Sequence, residues 1–257
     1  MIKSYLEYFW KAKDEHGLHS PFVFELYTQI IKKSEEEYYA YAEIEQLREN
    51  LLNSTETIVV QDFGAGSKVN KTPERAVKDI AKNATKNAQI GQLLFRLVNR
   101  FQPKTIIDLG TCLGITTAYL ASPVPKSTIY TFEGSESLIQ LAQTHFKMLG
   151  LSNIKTVLGN IDDTLPATLD TFDKIDFAFI DANHRYEPTI RYFEQILDKS
   201  HEDTVIILDD IYWSDEMKRA WQNVVSHPQV MISIDLFWIG IVFLRKKQPK
   251  QHFTLKF

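Results

Sequence analysis

From Thr105 onward, short apolar runs alternate with amphipathic segments. The runs lie at Thr105–Leu109, Thr128–Glu133, Ile154–Leu158, Ile175–Ile180 and Thr204–Leu208. The segments between them, for example SLIQLAQTHFKMLG and EPTIRYFEQIL, carry apolar residues at helical spacing. Strands that alternate with helices predict crossover units and a buried parallel sheet. Because such crossovers are right-handed, the doubly wound arrangement is the main topology left.

Two more strand-like runs follow, at Val230–Asp235 and Ile241–Arg245, with only LFWIG between them. Parallel neighbours need a long crossover, so a pair this close must be antiparallel. The predicted fold class is therefore α/β. We expect a doubly wound, mostly parallel seven-stranded sheet that ends in an antiparallel C-terminal hairpin.

The chain before this alternation has a different pattern. Up to about Asn53 it is predicted to be helical, and Ser20-Pro21 is a typical helix start because serine caps and proline suits the first turn. The run TIVVQDFGAGSK then reads as a strand that ends in a glycine loop, followed by helical stretches at Pro73–Asn83 and Ala88–Phe101. We therefore divide the chain into an N-terminal helical extension or cap with the FGAGS loop, residues 1–86, and a main domain, residues 87–257.

Composition narrows the class of protein. The 257 residues are 44% hydrophobic and 24% charged, within the range of globular proteins. The net charge of −4 gives no basic field, so we expect no nucleic-acid partner. One cysteine, Cys112, excludes a disulfide framework and fits a reducing compartment. With no signal-like leader and no run of about 20 apolar residues, we expect a cytoplasmic protein without a membrane partner.

The first strand of the alternating region runs into DLGTCLG, a glycine turn that precedes a helix. Gly110 and Gly114 allow turn geometries and a close approach of a ligand to the backbone, while Asp108 and Thr111 add polar groups at the same place. The next strand ends in TFEG, which places Glu133 25 residues after Asp108 (133 − 108) and Gly134 beside it. An acidic residue at the tip of the second strand is suited to bind both hydroxyls of a ribose.

The spacing of the glycines distinguishes two nucleoside cofactors. Dinucleotide enzymes use G-x-G-x-x-G around a pyrophosphate, whereas the spacing here is G-x-x-x-G with Thr111 in the loop. This loop suits the amino-acid end of S-adenosylmethionine better. A second candidate loop, Asp62–Ser67, has no acidic residue and no strand 20–25 positions later, so we interpret it as a turn or as a substrate lid.

The third strand leads into GNIDD, where the adenine of such a cofactor is expected to lie. Asn160 or Asp162 would bind the exocyclic amine, and Ile161 would flank the ring. Both polar residues also suit an ordinary turn.

Acidic residues follow the fourth and fifth strands: Asp181 in FIDANHRYE, and Asp209 and Asp210 in IILDDIYW. Ligands bind at the carboxyl ends of such strands. Converging carboxylates repel each other unless a cation neutralises them, so we predict a metal site formed by Asp181, Asp209 and Asp210. Mg²⁺ is the commonest ion with such ligands. His184 is a candidate general base, although it could also only pack in its loop, and Asp210 could only cap a helix.

Four of these segments, DLGTCLG, TFEG, IDANHRYEP and ILDDIYWS, resemble the class I S-adenosylmethionine-dependent methyltransferases. The similarity is greatest to the catechol-type O-methyltransferase group and its relatives with a D-x-x-H-x-Y-E element, over roughly residues 87–245. It implies that the loop at Gly110 holds the methionine part of the cofactor and that Glu133 holds the ribose. In metal-dependent relatives Asp181, Asp209 and Asp210 are the matching ligand positions and His184 the matching base, and Asp181 also borders the cofactor.

The sequence differs from this family in two respects. Many relatives have Asn or Glu at one position of the Asp209-Asp210 pair, and some bind no metal. Residues 1–86 have no counterpart in the catechol enzymes and resemble the HGLHSPF-containing leader of uncharacterised bacterial methyltransferases.

The expected function is methyl transfer to a small-molecule acceptor, at a hydroxyl group. The alternatives are methylation of a macromolecule, a nicotinamide oxidoreductase, and an inactive module that binds S-adenosylmethionine, since a fold alone does not establish a function. The sequence does not specify which molecule accepts the methyl group. The aromatic cluster Tyr38, Tyr39 and Tyr41 is consistent with either a homodimer contact or a packed helix.

Overall fold

The computed structural model describes residues 2–33, 36–61 and 73–257. Both predicted features of the segment 62–67, turn or lid, lie outside the described residues. By its internal contacts the chain divides into two compact units, residues 34–167 and residues 1–33 together with 168–257. The predicted boundary at residue 86, between an N-terminal extension and a main domain, stays a prediction.

Helices and strands alternate along most of the chain. The α-helices are α1 (Ile2–Lys11), α2 (Pro21–Leu26), α3 (Tyr39–Leu52), α4 (Val77–Ala84), α5 (Ala88–Phe101), α6 (Ile115–Ala121), α7 (Glu136–Met148), α8 (Ile161–Leu169), α9 (Tyr186–Asp198) and α10 (Asp215–Ser226). The strands are β1 (Thr57–Val59), β2 (Glu74–Ala76), β3 (Thr105–Leu109), β4 (Thr128–Glu133), β5 (Ile154–Leu158), β6 (Phe177–Ile180), β7 (Val205–Asp209), β8 (Ile232–Asp235), β9 (Ile239–Phe243) and β10 (Gln251–Thr254).

The predicted fold class is confirmed, since β3 to β10 are members of one mostly parallel sheet with antiparallel pairings near its C-terminal strands. Within residues 34–167, β4 lies between β3 and β5 and all three are parallel. In the other unit the order is β10-β8-β9-β7-β6, with β9 antiparallel to both of its neighbours. The carboxyl ends of β6, β7 and β8 therefore lie at one edge of that unit.

Three local predictions need correction. The sheet has an eighth strand, β10, which is short and pairs in parallel with β8. The predicted helix at Pro73–Asn83 begins only at Val77, because Glu74–Ala76 pairs with β1 in a separate two-stranded sheet. The turn between β8 and β9 contains only residues 236–238, so the second strand of the hairpin begins two residues earlier than predicted.

The first 33 residues pack against the C-terminal end of the chain. Lys13 forms a parallel bridge with Leu255. The Tyr27 hydroxyl donates to the carbonyl of Lys256 at 3.0 Å, and the buried Tyr8 hydroxyl donates to the carbonyl of Leu255. Burial raises the pKa of Tyr8 far above its usual value, so this donor keeps its proton. Residues 2–33, which we call the leader, thus pack beside β10 and hold the chain that follows it in place. Among the described residues, no helix is both long and apolar enough to span a membrane.

The core of residues 34–167 depends on a close contact between α5 and α6. Gly91 of α5 faces the ring of Tyr119 of α6, and a Cβ at position 91 would lie 2.4 Å from Tyr119 Cδ2. Tyr119 is fully buried, and its hydroxyl donates to Glu45 Oε1 of α3 at 2.7 Å. The ring cannot move away from α5 without giving up this hydrogen bond.

We predict that Gly91→Ala destabilises the protein, although alanine is the better helix former. The new methyl group would overlap the Tyr119 ring, and overpacking of this kind costs about 1–3 kcal/mol. Chemical denaturation measures the change in the free energy of unfolding. Gln89→Ala, at an exposed position of the same helix, is the control, and its effect should lie within about 0.5 kcal/mol. Equal stability of the two variants would contradict the close contact.

Candidate functional site

The turn between β3 and α6 has three residues with left-handed backbone angles: Gly110 (φ 112°), Cys112 (φ 49°) and Gly114 (φ 82°). Gly114 is required for a second reason, because a Cβ there would lie 2.6 Å from Phe146 Cε1 of α7. The predicted glycine turn is therefore present, and α7 packs directly behind it.

A buried polar network lies under this turn. Asp108 is fully buried, and its Oδ2 accepts hydrogen bonds from the hydroxyls of Thr117 (2.6 Å) and Thr131 (2.7 Å). Thr111 Oγ1 lies 2.6 Å from Thr131 Oγ1. Asp108 and Thr111, both predicted to contact a cofactor, are thus placed where they hold the turn together. Sequence reasoning missed Thr117 and Thr131. The parallel register of β3 and β4 places Thr131 beside Asp108, and Thr117 reaches Asp108 from α6.

Glu133 lies at the end of β4 and faces the same turn. Its Oε2 accepts from the Cys112 backbone N–H at 2.9 Å, and its Oε1 accepts from the Ser135 backbone N–H at 2.9 Å. The carboxylate is partly buried, and each of its oxygens has lone pairs for a second donor. Gly134, also partly buried, separates Glu133 from Ser135. Glu133 is therefore oriented by two backbone donors.

The loop after β5 lies beside Glu133, because the Gly159 N–H donates to the Glu133 carbonyl at 2.9 Å. Asn160 stands at the start of α8, where its Oδ1 accepts from the Asp162 N–H at 3.1 Å. Asn160 therefore has the turn role that the sequence left open. Ile161 is partly buried and Asp162 is exposed. The residues predicted to surround an adenine are thus next to the predicted ribose acid.

An acidic cluster lies at the carboxyl ends of β6 and β7, in the other unit. Ligand atoms of Asp181, His184 and Asp209 all lie within 4.8 Å of one another. His184 Nε2 is 3.4 Å from Asp181 Oδ1. Asp209 is 1% exposed, whereas Asp181 and His184 are only partly buried. This cluster is suited to bind a divalent cation through hard oxygen ligands.

The cluster differs from the predicted ligand set in one member. Asp210, predicted as the third carboxylate, is not part of this group, and His184, predicted as a base, is. Asp210 has a left-handed conformation (φ 51°), which turns the chain just after β7. His184 (φ 50°) and Asn183 (φ 66°) share that conformation. Strained non-glycine residues of this kind are typical of functional sites.

Aromatic residues support the loop that follows Asp210. The Tyr212 hydroxyl donates to Asp235 Oδ2 at 2.7 Å, and the Phe237 N–H donates to Asp235 Oδ1 at 2.8 Å. The Tyr212 and Phe237 rings stack with centroids 5.0 Å apart. Burial raises the pKa of the Asp235 carboxyl. Sequence reasoning missed Asp235, although its place at the end of a third predicted strand is the signal that pointed to Asp181 and Asp209.

Residues 107–211 match a family model described as a methyltransferase domain. A catechol O-methyltransferase from Niastella koreensis is 31% identical over 124 residues, which cover 47% of this chain and 55% of that protein. The chain thus spans about half the length of the curated relatives that it matches.

Solved structures share the fold. An O-methyltransferase from Streptomyces achromogenes involved in tomaymycin synthesis, in complex with SAM, superposes with a TM-score of 0.58 at 18% identity, over 85% of this chain and 95% of that one. An O-methyltransferase from Bacillus cereus in complex with SAH superposes with a TM-score of 0.55 at 19% identity, over 84% and 96%. At these identities the likeness establishes the doubly wound fold.

We predict that Thr117→Val destabilises the protein by about 1–3 kcal/mol, because a buried carboxylate loses a hydrogen-bond donor. Thermal and chemical denaturation would measure the loss. Thr116→Val is the matched control, since Thr116 is also buried but its hydroxyl makes no hydrogen bond within the described residues. If the two variants are equally stable, Asp108 does not depend on Thr117.

Proposed function

We propose that this protein transfers a methyl group from S-adenosylmethionine to a hydroxyl group of a small-molecule acceptor. The observation that carries the proposal is the hydrogen bond between Glu133 Oε2 and the Cys112 N–H, at 2.9 Å. It joins the ribose acid to the glycine turn, so two parts of the sequence signature form one binding surface. The match to the methyltransferase domain and the named O-methyltransferase relatives support the same reaction.

Residues 34–167 would hold the cofactor. The turn from Gly110 to Gly114 would receive its amino-acid end, and Glu133 would accept the ribose hydroxyls. Asn160, Ile161 and Asp162 would border the adenine. The fit rests on Glu133, whose two oxygens each accept from a different backbone N–H, which fixes the orientation of the carboxylate for a bidentate contact to a ribose diol.

S-adenosylmethionine supplies an electrophilic methyl group on a sulfonium. The protein must then hold the acceptor hydroxyl in line and remove its proton. His184 is suited to take that proton, because its imidazole is partly exposed and lies 3.4 Å from Asp181.

Asp181 and Asp209 would hold a divalent cation, for which Mg²⁺ is the natural candidate. The donor set fits, because two carboxylates lie within 4.8 Å of each other and their charges favour a cation between them. A cation there would lower the pKa of an acceptor hydroxyl.

We predict that the protein binds S-adenosylhomocysteine and that Glu133→Gln weakens this binding. The variant loses the charge that strengthens hydrogen bonds from the ribose hydroxyls, an effect of about 1.5–3 kcal/mol. Isothermal titration calorimetry would measure both dissociation constants. Glu136→Gln, three residues along the chain on the exposed first turn of α7, is the control and should bind as the unmodified protein does. Affinity unchanged in Glu133→Gln would remove Glu133 from the site, and binding of NAD instead would overturn the proposed cofactor.

We predict that Mg²⁺ or Mn²⁺ binds to the free protein and that Asp181→Asn and Asp209→Asn each weaken the binding at least about tenfold, because a ligand charge is lost. Calorimetry with the metal alone measures this without an acceptor. Asp215→Asn, on an almost fully exposed side chain, is the control.

His184→Ala separates the two roles of the histidine. As a base, His184 is dispensable for metal affinity but required for methyl transfer to a catechol probe, so turnover should fall in His184→Ala while the dissociation constant for the metal stays the same. A parallel loss of metal affinity in His184→Ala would instead make it a ligand. Absence of metal binding at millimolar concentration would exclude the cation from the proposal and leave the cofactor prediction intact.

A further inference from the structure

Helix α1 presents its larger apolar surface to solvent. Its inward side is narrow, with only Ser4 and Tyr8 buried. On the outer side, the exposed fractions are 81% for Ile2, 53% for Leu6 and 83% for Trp10, while Phe9 is 55% exposed. Positions 2, 6, 9 and 10 lie on one side of a helix. A surface helix normally has the opposite orientation, with the wider apolar stripe inward.

The exposed stripe continues onto the turn between β8 and β9. Tyr5, 44% exposed, packs edge-on against Phe237 with ring centroids 5.0 Å apart. Phe237 in turn contacts Trp238, which is 43% exposed, at 4.9 Å. We call this surface the outer face of α1, and its six members are Ile2, Tyr5, Leu6, Phe9, Trp10 and Trp238. Large contiguous apolar surfaces that are exposed on a protein often mark an interaction site.

We propose that the outer face of α1 is the contact between two copies of this chain, with the two α1 helices antiparallel about a two-fold axis near Leu6. Such an axis places Ile2 opposite the partner's Trp10 and Leu6 opposite the partner's Leu6. Under this two-fold axis, the aromatic side of one stripe faces the aromatic side of the other, and the charged side faces the charged side. The aromatic side with Tyr5 and Trp238 therefore meets its own copy, so apolar surface covers apolar surface.

The charges on the opposite side of the stripe agree with this arrangement. Lys3 and Glu7 both lie there, one helical turn apart and exposed. In the antiparallel pair each Lys3 comes near the partner's Glu7, which gives two symmetric opposite-charge contacts across the rim. Parallel helices would not pair these charges, so the pattern favours the antiparallel dimer.

A lipid surface is the other occupant that an amphipathic helix with tryptophan suggests. Two features disfavour it. The charged side of the stripe alternates lysine with glutamate instead of being uniformly basic, and the chain carries a net charge of −4, which opposes binding to anionic lipid. The aromatic cluster that the sequence suggested for a dimer contact packs within the fold at two of its three positions, because Tyr41 is buried and Tyr38 packs on it and on Phe95. Its third member, Tyr39, is 73% exposed, and its hydroxyl donates to the Ser122 carbonyl.

The experiment is sedimentation equilibrium of the full chain from about 1 to about 100 µM, a range that resolves weak and tight dimers. We expect a dimer, and we expect Leu6→Glu to be monomeric because two like charges would meet at the axis. Met148→Glu, at a residue that is 66% exposed on α7, is the matched control and should stay dimeric. Circular dichroism and thermal melting would show that both variants fold.

A charge exchange tests the orientation of the helices. Lys3→Glu and Glu7→Lys should each weaken the dimer, on the order of a few-fold for exposed pairs, and the double variant should recover the original dissociation constant. A monomer at every concentration, or a dimer indifferent to Leu6→Glu, would overturn the proposal. The proposal would also be overturned if the protein is a monomer that co-sediments with phosphatidylglycerol–phosphatidylcholine vesicles and Leu6→Glu abolishes this binding. The outer face of α1 would then be a lipid-binding surface. A Leu6-dependent dimer in which the double variant fails to recover would overturn the antiparallel orientation.

Discussion

A carboxylate buried at the end of β3 determines the shape of the proposed cofactor site. Asp108 is removed from water, so its charge must be met by donors within the protein. The hydroxyls of Thr117 and Thr131 provide them, and this fixes the start of α6 against β4. With β3, α6 and β4 joined at one point, the left-handed turn at Cys112 can direct its N–H at Glu133. The partly buried Glu133, which we propose to bind the ribose, thus takes its orientation from a turn that the buried Asp108 holds in place.

The acidic cluster is supported in a different way. Asp209 is buried, and the chain turns sharply at Asp210 in a conformation that costs free energy in a residue with a Cβ. The neighbouring packing offsets this cost, because Tyr212 is held by Asp235 and stacked on Phe237. The same Phe237 contacts Tyr5 and Tyr8 of α1. A continuous set of packed rings therefore leads from the first helix to the loop beside the cluster.

Local pattern predicted much of this structure. β3, β4 and β5 occupy the predicted residues because buried parallel strands bounded by turns have a strong sequence signal. β10 was missed, since QHFT is short and polar and becomes a strand only by pairing with β8. Glu74–Ala76 was read as helix for the same reason. At the site, strand ends predicted Glu133, Asp181 and Asp209 as functional residues, and these stay predictions. The side chain that joins Asp181 and Asp209 in the cluster is that of His184, and this depends on tertiary placement that residue types do not specify.

The pairing of the leader with residues near Leu255 has a consequence for synthesis on the ribosome. The hydrogen bond from Tyr8 to Leu255 spans 247 positions of the sequence, so the leader emerges long before the strand that it packs on has been translated. Residues 34–167 form a compact unit by their internal contacts, and such units generally fold in the order in which they are synthesised. The nascent leader meanwhile carries an apolar helix without its native partner, which is the kind of segment that chaperones bind. Assembly of the discontinuous unit is therefore the late step of folding.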